Sequence, residues 1–228
     1  MQNKILSIFN RLKKQSKLSL IPLHEPDITY NEKKIVNDIL KSGFISTAGK
    51  EINILEKKIQ EYTKVKNVIL TNSGTSAIHL IIYALGIKNN EEIIVPSTTF
   101  VGTINPILYC NAVPNFVDID LSTYSICPKK LEDYLNKNTK IINGKCINIK
   151  TKRRIKALIV VHIFGNISNL IQIKKICNKF KLYLIEDAAE AFGSRYQNKH
   201  AGNFGIASAY SFNGNKIIST GAGGAIAT

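Results

Sequence analysis

The chain has 228 residues, of which 44% are hydrophobic, enough for one large domain with a sizeable core. Its net charge is +15, but the lysines are scattered and no repeat of aromatic and basic residues marks a nucleic-acid-binding module. We therefore expect anionic small molecules rather than nucleic acid as partners. No apolar run reaches the roughly 18 residues of a membrane-spanning helix. The four cysteines lack metal or redox spacing, which predicts reduced thiols, a cytoplasmic protein and no metal site.

The first residues differ in character from the rest. Residues 1–20 are basic and partly amphipathic, and their apolar blocks are too short for the core of a signal peptide. We predict a plain N-terminal extension here and no stable membrane insertion, with a weak membrane-surface helix as the alternative. Residues 21–228 contain no linker, repeat or shift in composition, which predicts a single domain.

Apolar periodicity predicts helices and strands in alternation. Asn31 is predicted to cap a helix that Gly43 ends. The turn Asn143-Gly144 predicts a hairpin. Helices are predicted at 31–42, 51–62, 77–85, 129–136 and 168–180, with one more that follows residue 100 and ends at residue 109. Strands are predicted at 68–71, 92–95, 115–118, 157–161, 182–186, 207–212 and 224–227. This order predicts an α/β fold with a mostly parallel central sheet flanked by helices. The last strand is expected to form an uncovered sheet edge.

Two residues at predicted strand ends point to chemistry. Lys216 lies just past a strand, in the turn-forming segment 213–216. Asp187 closes strand 182–186, where a side chain faces the crevice outside the carboxyl edge of the sheet. A lone lysine in a turn is usually a solvent-exposed charge. With Asp187 it supplies the two groups that pyridoxal phosphate (PLP) requires, an amine for a Schiff base and a carboxylate for the pyridinium nitrogen.

A small-residue turn at 72–76 separates the predicted strand 68–71 from the helix that follows it. Backbone N–H groups and the positive end of a helix form a phosphate cradle in such a turn. Serine and threonine are also ordinary helix caps, so the turn alone leaves both interpretations open. Beside Lys216 and Asp187 it favours a phosphate site.

These motifs resemble those of the DegT/DnrJ-type (StrS-like) nucleotide-sugar aminotransferases. Residues 211–216, Ser-Phe-Asn-Gly-Asn-Lys, followed by Gly-Ala-Gly-Gly at 221–224, are similar to the family's lysine segment. Residues 186–193, Glu-Asp-Ala-Ala-Glu-Ala-Phe-Gly, are similar to its aspartate segment. The resemblance runs from about residue 21 to residue 228. It implies the large domain of fold type I PLP-dependent transferases.

The resemblance also implies a role for each matching residue. Lys216 and Asp187 would be catalytic and would hold PLP by its aldehyde and its ring nitrogen. Glu190, one helical step beyond Asp187, matches a position that is commonly glutamine and contacts the cofactor's O3′. The remaining implied contacts are to the phosphate, from Gly74, Thr75 and Ser211, and to the ring face, from Phe100. Phe100 could equally be a core residue, and His162, which matches a family histidine, could be satisfied by nearby backbone.

Some relatives replace the lysine with histidine and dehydrate sugars, so Lys216 favours transamination. The turn at 213–216 is most similar to that of members that aminate C4 of nucleotide-linked 4-keto-6-deoxyhexoses. The resemblance implies glutamate as donor, a nucleotide-diphosphate sugar as acceptor, a product for polysaccharide biosynthesis and a homodimer.

Family members continue through a further small domain, whereas this sequence ends at Thr228. We therefore expect residues 21–228 to be a PLP-binding large domain, C-terminally truncated and without the small domain. One alternative is a catalytically incomplete fragment that needs a complementary C-terminal chain. Another is a basic α/β domain that binds nucleic acid.

Overall fold

The structure, a computed structural model, describes residues 2–16 and 24–228. The predicted boundary between the extension and the domain, at residue 20, lies outside these described residues. None of the described helices is long and apolar enough to cross a membrane. The helices are α1 Gln2–Ser16, α2 Tyr30–Ser42, α3 Lys50–Thr63, α4 Gly74–Ala84, α5 Val101–Tyr109, α6 Pro128–Asn138 and α7 Leu170–Phe180.

The strands form one large mixed sheet and a separate small hairpin. They are β1 Val68–Thr71, β2 Glu92–Pro96, β3 Val113–Val117, β4 Thr139–Ile142, β5 Lys145–Asn148, β6 Arg154–Val161, β7 Tyr183–Asp187, β8 Arg195–Tyr196, β9 Lys199–His200, β10 Ala207–Ser211 and β11 Gly224–Ala227. The main sheet has the order β1-β11-β10-β7-β6-β2-β3, and the β4–β5 hairpin joins β6. Strands β10, β7, β6, β2 and β3 are parallel. The predicted α/β fold with a mostly parallel centre is confirmed.

Alternate side chains of β6 enter two hydrophobic clusters. Leu158 and Val160 pack in a cluster with α6 and α7, and Ala157 and Ile159 pack in a cluster with α4 and α5. A strand buried on both faces has this continuous apolar sequence because each face meets a layer of helices. The sheet is therefore sandwiched, and its carboxyl edge is left for the loops that carry the predicted site.

Several predictions about single elements are wrong. Helix α2 is capped by Thr29, not Asn31, through a capping box with Glu32. Helix α4 begins at Gly74, before the predicted start, because Ser73 caps it and accepts a hydrogen bond from the Ser76 N–H. Glu190 lies in a turn after β7 and not on a helix.

The predicted sheet edge at 224–227 is also wrong. Strand β11 lies between β1 and β10 and pairs antiparallel with both. The edge on this side is β1, whose Ile69 is exposed, although its apolar sequence is typical of a buried strand. The polar groups of the β11 backbone are thus paired within the sheet on both sides of the strand.

Candidate active site

The parallel strands end at one large cavity. Its volume is about 770 Å³, and it opens at the carboxyl edge where β6, β7 and β10 finish. All of the residues that the sequence predicted for the site line this cavity, namely Gly74, Thr75, Phe100, Asp187, Glu190, Ser211 and Lys216. Residues from widely separated segments meet here because the ends of parallel strands share one edge of a sheet.

The carboxylate of Asp187 is buried at the end of β7. One oxygen accepts a hydrogen bond of 2.6 Å from the Thr103 hydroxyl, and the other accepts one of 3.1 Å from the Ala189 N–H. Burial raises the pKa of Asp187, and these bonds with the more distant charges of His162 and Lys216 only partly offset this effect. No cation forms an ion pair with Asp187 among residues 2–16 and 24–228. A cationic group brought to this carboxylate would therefore be stabilised.

Lys216 points its amine into the cavity and forms an ion pair. Its Nζ lies 3.0 Å from Oε1 of Glu190, and the lysine side chain is 14% exposed. The other oxygen of Glu190 accepts a hydrogen bond of 2.9 Å from the N–H of Phe164. Burial acts to raise the pKa of Glu190, but these two partners outweigh it and hold the pKa below its ordinary value. Glu190 therefore fixes the position of the lysine amine.

The beginning of α4 also lines the cavity. A Cβ atom added to Gly74 would lie 3.0 Å from the Ser211 Cβ, so the helix start and the end of β10 are in close contact. A Cβ atom on Gly224 would lie 2.4 Å from the Ser73 carbonyl carbon. Glycine at these positions lets the backbone N–H groups at the α4 N-terminus approach the cavity beside the Ser211 hydroxyl. This arrangement suits an anionic group such as a phosphate.

Phe100 precedes α5, and its side chain is 74% exposed beside the cavity. The prediction that it could be a core phenylalanine is therefore wrong. A Cβ atom on Gly102 would lie 3.0 Å from the Phe100 ring and 2.9 Å from the Thr75 hydroxyl. The absence of a side chain at Gly102 thus leaves room for the Phe100 ring near Thr75, in the first turn of α4.

His162 lies in the wall of the cavity, and its environment corrects the expectation of a backbone partner. Its Nε2 lies 3.1 Å from the buried carboxylate of Glu186, and its buried Nδ1 has no hydrogen-bond partner within the described part of the chain. Glu186 also accepts hydrogen bonds from the N–H groups of Gly202, Phe204 and Gly205. Burial acts to raise the pKa of Glu186, but His162 and these N–H groups outweigh it and lower the pKa.

Sequence reasoning missed two contributors to this site. Thr103 binds the Asp187 carboxylate, and Glu186 supports His162. A hydroxyl inside the apolar helix α5 is a signal that could have identified Thr103, because a buried polar group needs a partner. Glu186 could have been noted as a charged residue at the end of an otherwise apolar strand.

Comparisons with known proteins identify the family of this chain. The model of the DegT/DnrJ/EryC1/StrS aminotransferase family matches residues 26–228. The chain belongs to this family. The GDP-perosamine synthase of Vibrio cholerae is 37% identical over 207 residues, which are 91% of this chain and 52% of that protein. The chain thus spans about half the length of the curated relatives that it matches.

Solved structures that superimpose on this chain support the same family. An aminotransferase from Psychrobacter cryohalolentis superimposes with a TM-score of 0.79 at 29% identity, covering 90% of this chain and 48% of its own. A GDP-4-keto-6-deoxymannose-3-dehydratase with a trapped PLP-glutamate geminal diamine has a TM-score of 0.79 at 28% identity, covering 92% of this chain and 51% of its own. The predicted family, its PLP cofactor and the fold of PLP-dependent aminotransferases are confirmed.

The residues of this chain fit that cofactor. The cavity presents an amine, a buried carboxylate that no cation of the described chain pairs with, and a helix N-terminus, which match an aldehyde, a pyridinium nitrogen and a phosphate. The role of each individual residue remains a prediction.

Proposed function

We propose that the chain transfers an amino group, using PLP bound at Lys216, from glutamate to a nucleotide-linked 4-keto-6-deoxyhexose. The observation that carries this proposal is the meeting of the Lys216 amine and the Asp187 carboxylate in one cavity of about 770 Å³. The relatives support the substrates, since one is a GDP-perosamine synthase and another holds a PLP-glutamate adduct. Lysine at position 216 favours transamination over the sugar dehydration of other members.

In this proposal PLP, when bound, supplies an electron sink for the carbanion formed next to the transferred nitrogen. Lys216 would hold the cofactor's aldehyde through its amine, and as a free amine it would act as the general base and acid that moves a proton. Asp187 keeps a proton on the ring nitrogen, since its buried carboxylate gains a cationic partner there. Glu190 orients the lysine amine through its ion pair of 3.0 Å and would contact the ring's O3′.

Further contacts complete the proposed site. Gly74, Thr75 and Ser211 bind the phosphate, and Phe100 covers one face of the ring. We place the reaction in the cytoplasm, which suits the free thiols of the four cysteines. We also propose a homodimer, because α4 and α5 expose large apolar side chains, namely Leu80, Tyr83, Val101, Leu108 and Tyr109.

The second candidate is a catalytically incomplete large domain at residues 21–228 that needs a complementary C-terminal chain. It is supported by the coverage of about half of the curated relatives. The two candidates share the cofactor site and differ in turnover, so an activity assay of the lone chain separates them.

The decisive test of the site is chemical labelling. The purified chain is incubated with PLP, reduced with borohydride, digested and mapped by mass spectrometry. We expect the visible absorbance of a lysine-bound cofactor and a pyridoxyl group on Lys216, and neither in the Lys216→Ala variant. A label on another lysine, or on none, would refute the assignment. A matched control, Lys156→Ala, removes a buried lysine outside the cavity and should keep the label.

A further inference from the structure

Helix α1 has an apolar face that the rest of the described chain does not cover. Ile5, Ile8, Phe9 and Leu12 follow the i, i+3, i+4, i+7 spacing of one helix face, and Leu6 lies beside them. Every side chain from residue 4 to residue 14 is exposed, and Phe9 is 57% exposed. Exposure of such an apolar face to water costs free energy, and burial against a partner would remove this cost.

The charges of this segment have one sign. The described helix carries Lys4, Arg11, Lys13 and Lys14, and no acidic residue precedes Glu25 in the sequence. At 100° per residue, Lys4 and Arg11 lie along one border of the apolar face, and Lys13 lies along the other. Long basic side chains at such borders can keep their charges in a polar layer while their stems lie along apolar surface. The segment therefore suits a partner that is apolar inside and anionic at its surface.

Helix α2 provides a contrast within the same chain. It also exposes apolar side chains, Ile35, Val36 and Leu40, but it carries Glu32 and Asp38 among its lysines. It also lies inside the residues that the family model matches, whereas α1 precedes them. An exposed apolar face alone is thus not peculiar to α1, but of these two helices only α1 combines it with basic residues and no acidic one.

We propose that α1 binds the surface of an anionic lipid bilayer. The helix has 15 residues. It is therefore roughly 22 Å long at 1.5 Å per residue, too short to span a hydrocarbon core of roughly 30 Å. It lies in the plane of the interface, with its apolar side chains among the acyl chains and its basic side chains at the phosphate groups. A nucleic acid or an acidic protein surface would match the charge but leave the aromatic and aliphatic face in water.

The chain contains no tryptophan, which makes a direct measurement possible. Phe9→Trp places a single indole fluorophore on the apolar face of α1 in the otherwise complete chain. We expect its emission to shift to the blue on addition of vesicles with about one quarter phosphatidylglycerol, and to be quenched by lipids brominated in the acyl chain. Neutral phosphatidylcholine vesicles should give at most a tenth of the binding.

Variants in the Phe9→Trp background separate the apolar and the electrostatic contributions to vesicle binding. Ile8→Glu with Leu12→Glu should weaken vesicle binding at least about tenfold, because it removes buried apolar area and adds charge of the wrong sign. Lys4→Gln with Arg11→Gln and Lys14→Gln should weaken it by a similar factor, as should about 0.5 M NaCl. The matched control is Ile35→Glu with Val36→Glu on α2, which should leave vesicle binding unchanged.

The outcomes are distinct. A blue shift with anionic vesicles that α1 substitutions abolish and α2 substitutions spare supports the proposal. It is overturned if anionic vesicles cause no shift, or if vesicle binding survives the α1 substitutions. A shift with duplex DNA or polyglutamate but not with vesicles would assign α1 to another class of partner and also overturn it. Because α1 contributes no residue to the cavity, labelling of Lys216 should be unchanged in every variant.

Discussion

Asp187 combines a catalytic assignment with a cost in stability. Its pKa is raised by burial, so it is harder to ionise in the folded chain than in the unfolded one. At neutral pH its charge therefore lowers the stability of the cofactor-free chain, while a cationic ring nitrogen would relieve the cost. Neutral asparagine has the same shape: its Oδ1 can accept from the Ala189 N–H, and its Nδ2 can donate to the Thr103 hydroxyl.

We therefore predict that Asp187→Asn is at least as stable as the wild type without PLP. With PLP, its reaction with glutamate should be at least about a hundredfold slower. Thermal unfolding of the cofactor-free proteins and absorbance during the half-reaction measure the two effects. A melting temperature several degrees below the wild type, or an unchanged half-reaction, would contradict this interpretation.

The pKa of Glu186 is shifted in the opposite direction from that of Asp187. Its pKa in the folded chain lies below the ordinary value of 4.5, because His162 and backbone N–H groups outweigh its burial. The stability that it contributes is therefore fully present above its unfolded pKa and is lost as the pH falls through its folded pKa. This contribution should therefore be lost as the pH falls from about 4.5 through the lower pKa of the folded chain.

We predict that Glu186→Gln lowers the free energy of unfolding by about 3 kcal/mol at pH 7, since His162 and three backbone N–H groups lose a charged partner. The difference between variant and wild type should shrink as the pH falls through this window. Urea unfolding at a series of pH values measures it, with the exposed Glu61→Gln as control. A difference that is constant with pH would show that the pair is not the source of the effect.

At the scale of elements, the start of α4 is held by its contact with β11. A Cβ atom on Gly224 would come within 2.4 Å of the Ser73 carbonyl carbon and 2.5 Å of the Gly74 nitrogen. These are backbone atoms, so the clash cannot be relieved by rotation of a side chain. Strand and helix would have to separate at the proposed phosphate site.

We predict that Gly224→Ala lowers the free energy of unfolding by about 3 kcal/mol and weakens PLP retention. Gly214→Ala is the matched control, because a Cβ atom there meets nothing within 4 Å. It should change stability by less than about 0.5 kcal/mol. Urea unfolding and cofactor retention on gel filtration report the two quantities. Equal effects of both substitutions would argue against a tight helix-strand contact.

At the scale of the whole molecule, the cavity is open where aromatic side chains surround it. Phe100, Phe164 and Tyr124 line the cavity and are exposed. Catalysis in a water-excluded site requires these surfaces to be covered, and closure affects rate more than cofactor binding. The proposed cofactor contacts, in contrast, lie within the described chain.

We therefore predict that the 228-residue chain binds PLP but transfers amino groups poorly. Its turnover from glutamate to a nucleotide-linked 4-keto-6-deoxy sugar should be below about a hundredth of that of a full-length relative, such as the GDP-perosamine synthase of Vibrio cholerae. Adding the C-terminal half of that relative as a separate chain tests for complementation. Turnover near that of the relative by the lone chain would show that it closes its own site.

The sequence by itself determined the α/β class, most helices and strands, and the gathering of Lys216, Asp187 and the turn at 72–76. These features follow from local rules, since apolar periodicity sets each element and the ends of parallel strands share one edge. Even so, local signals misplaced the cap of α2, because Asn31 and Thr29 both suit that position.

Only the tertiary structure decided the pairs Lys216–Glu190 and His162–Glu186 and the place of β11 between β1 and β10. Each depends on contact between segments that are far apart in the chain. Strand order in particular is set by which apolar faces can be buried together, and a four-residue strand has too little pattern of its own to specify its neighbours. The candidate site residues could therefore be predicted from the sequence, whereas the side chains that pair with them are determined by tertiary packing.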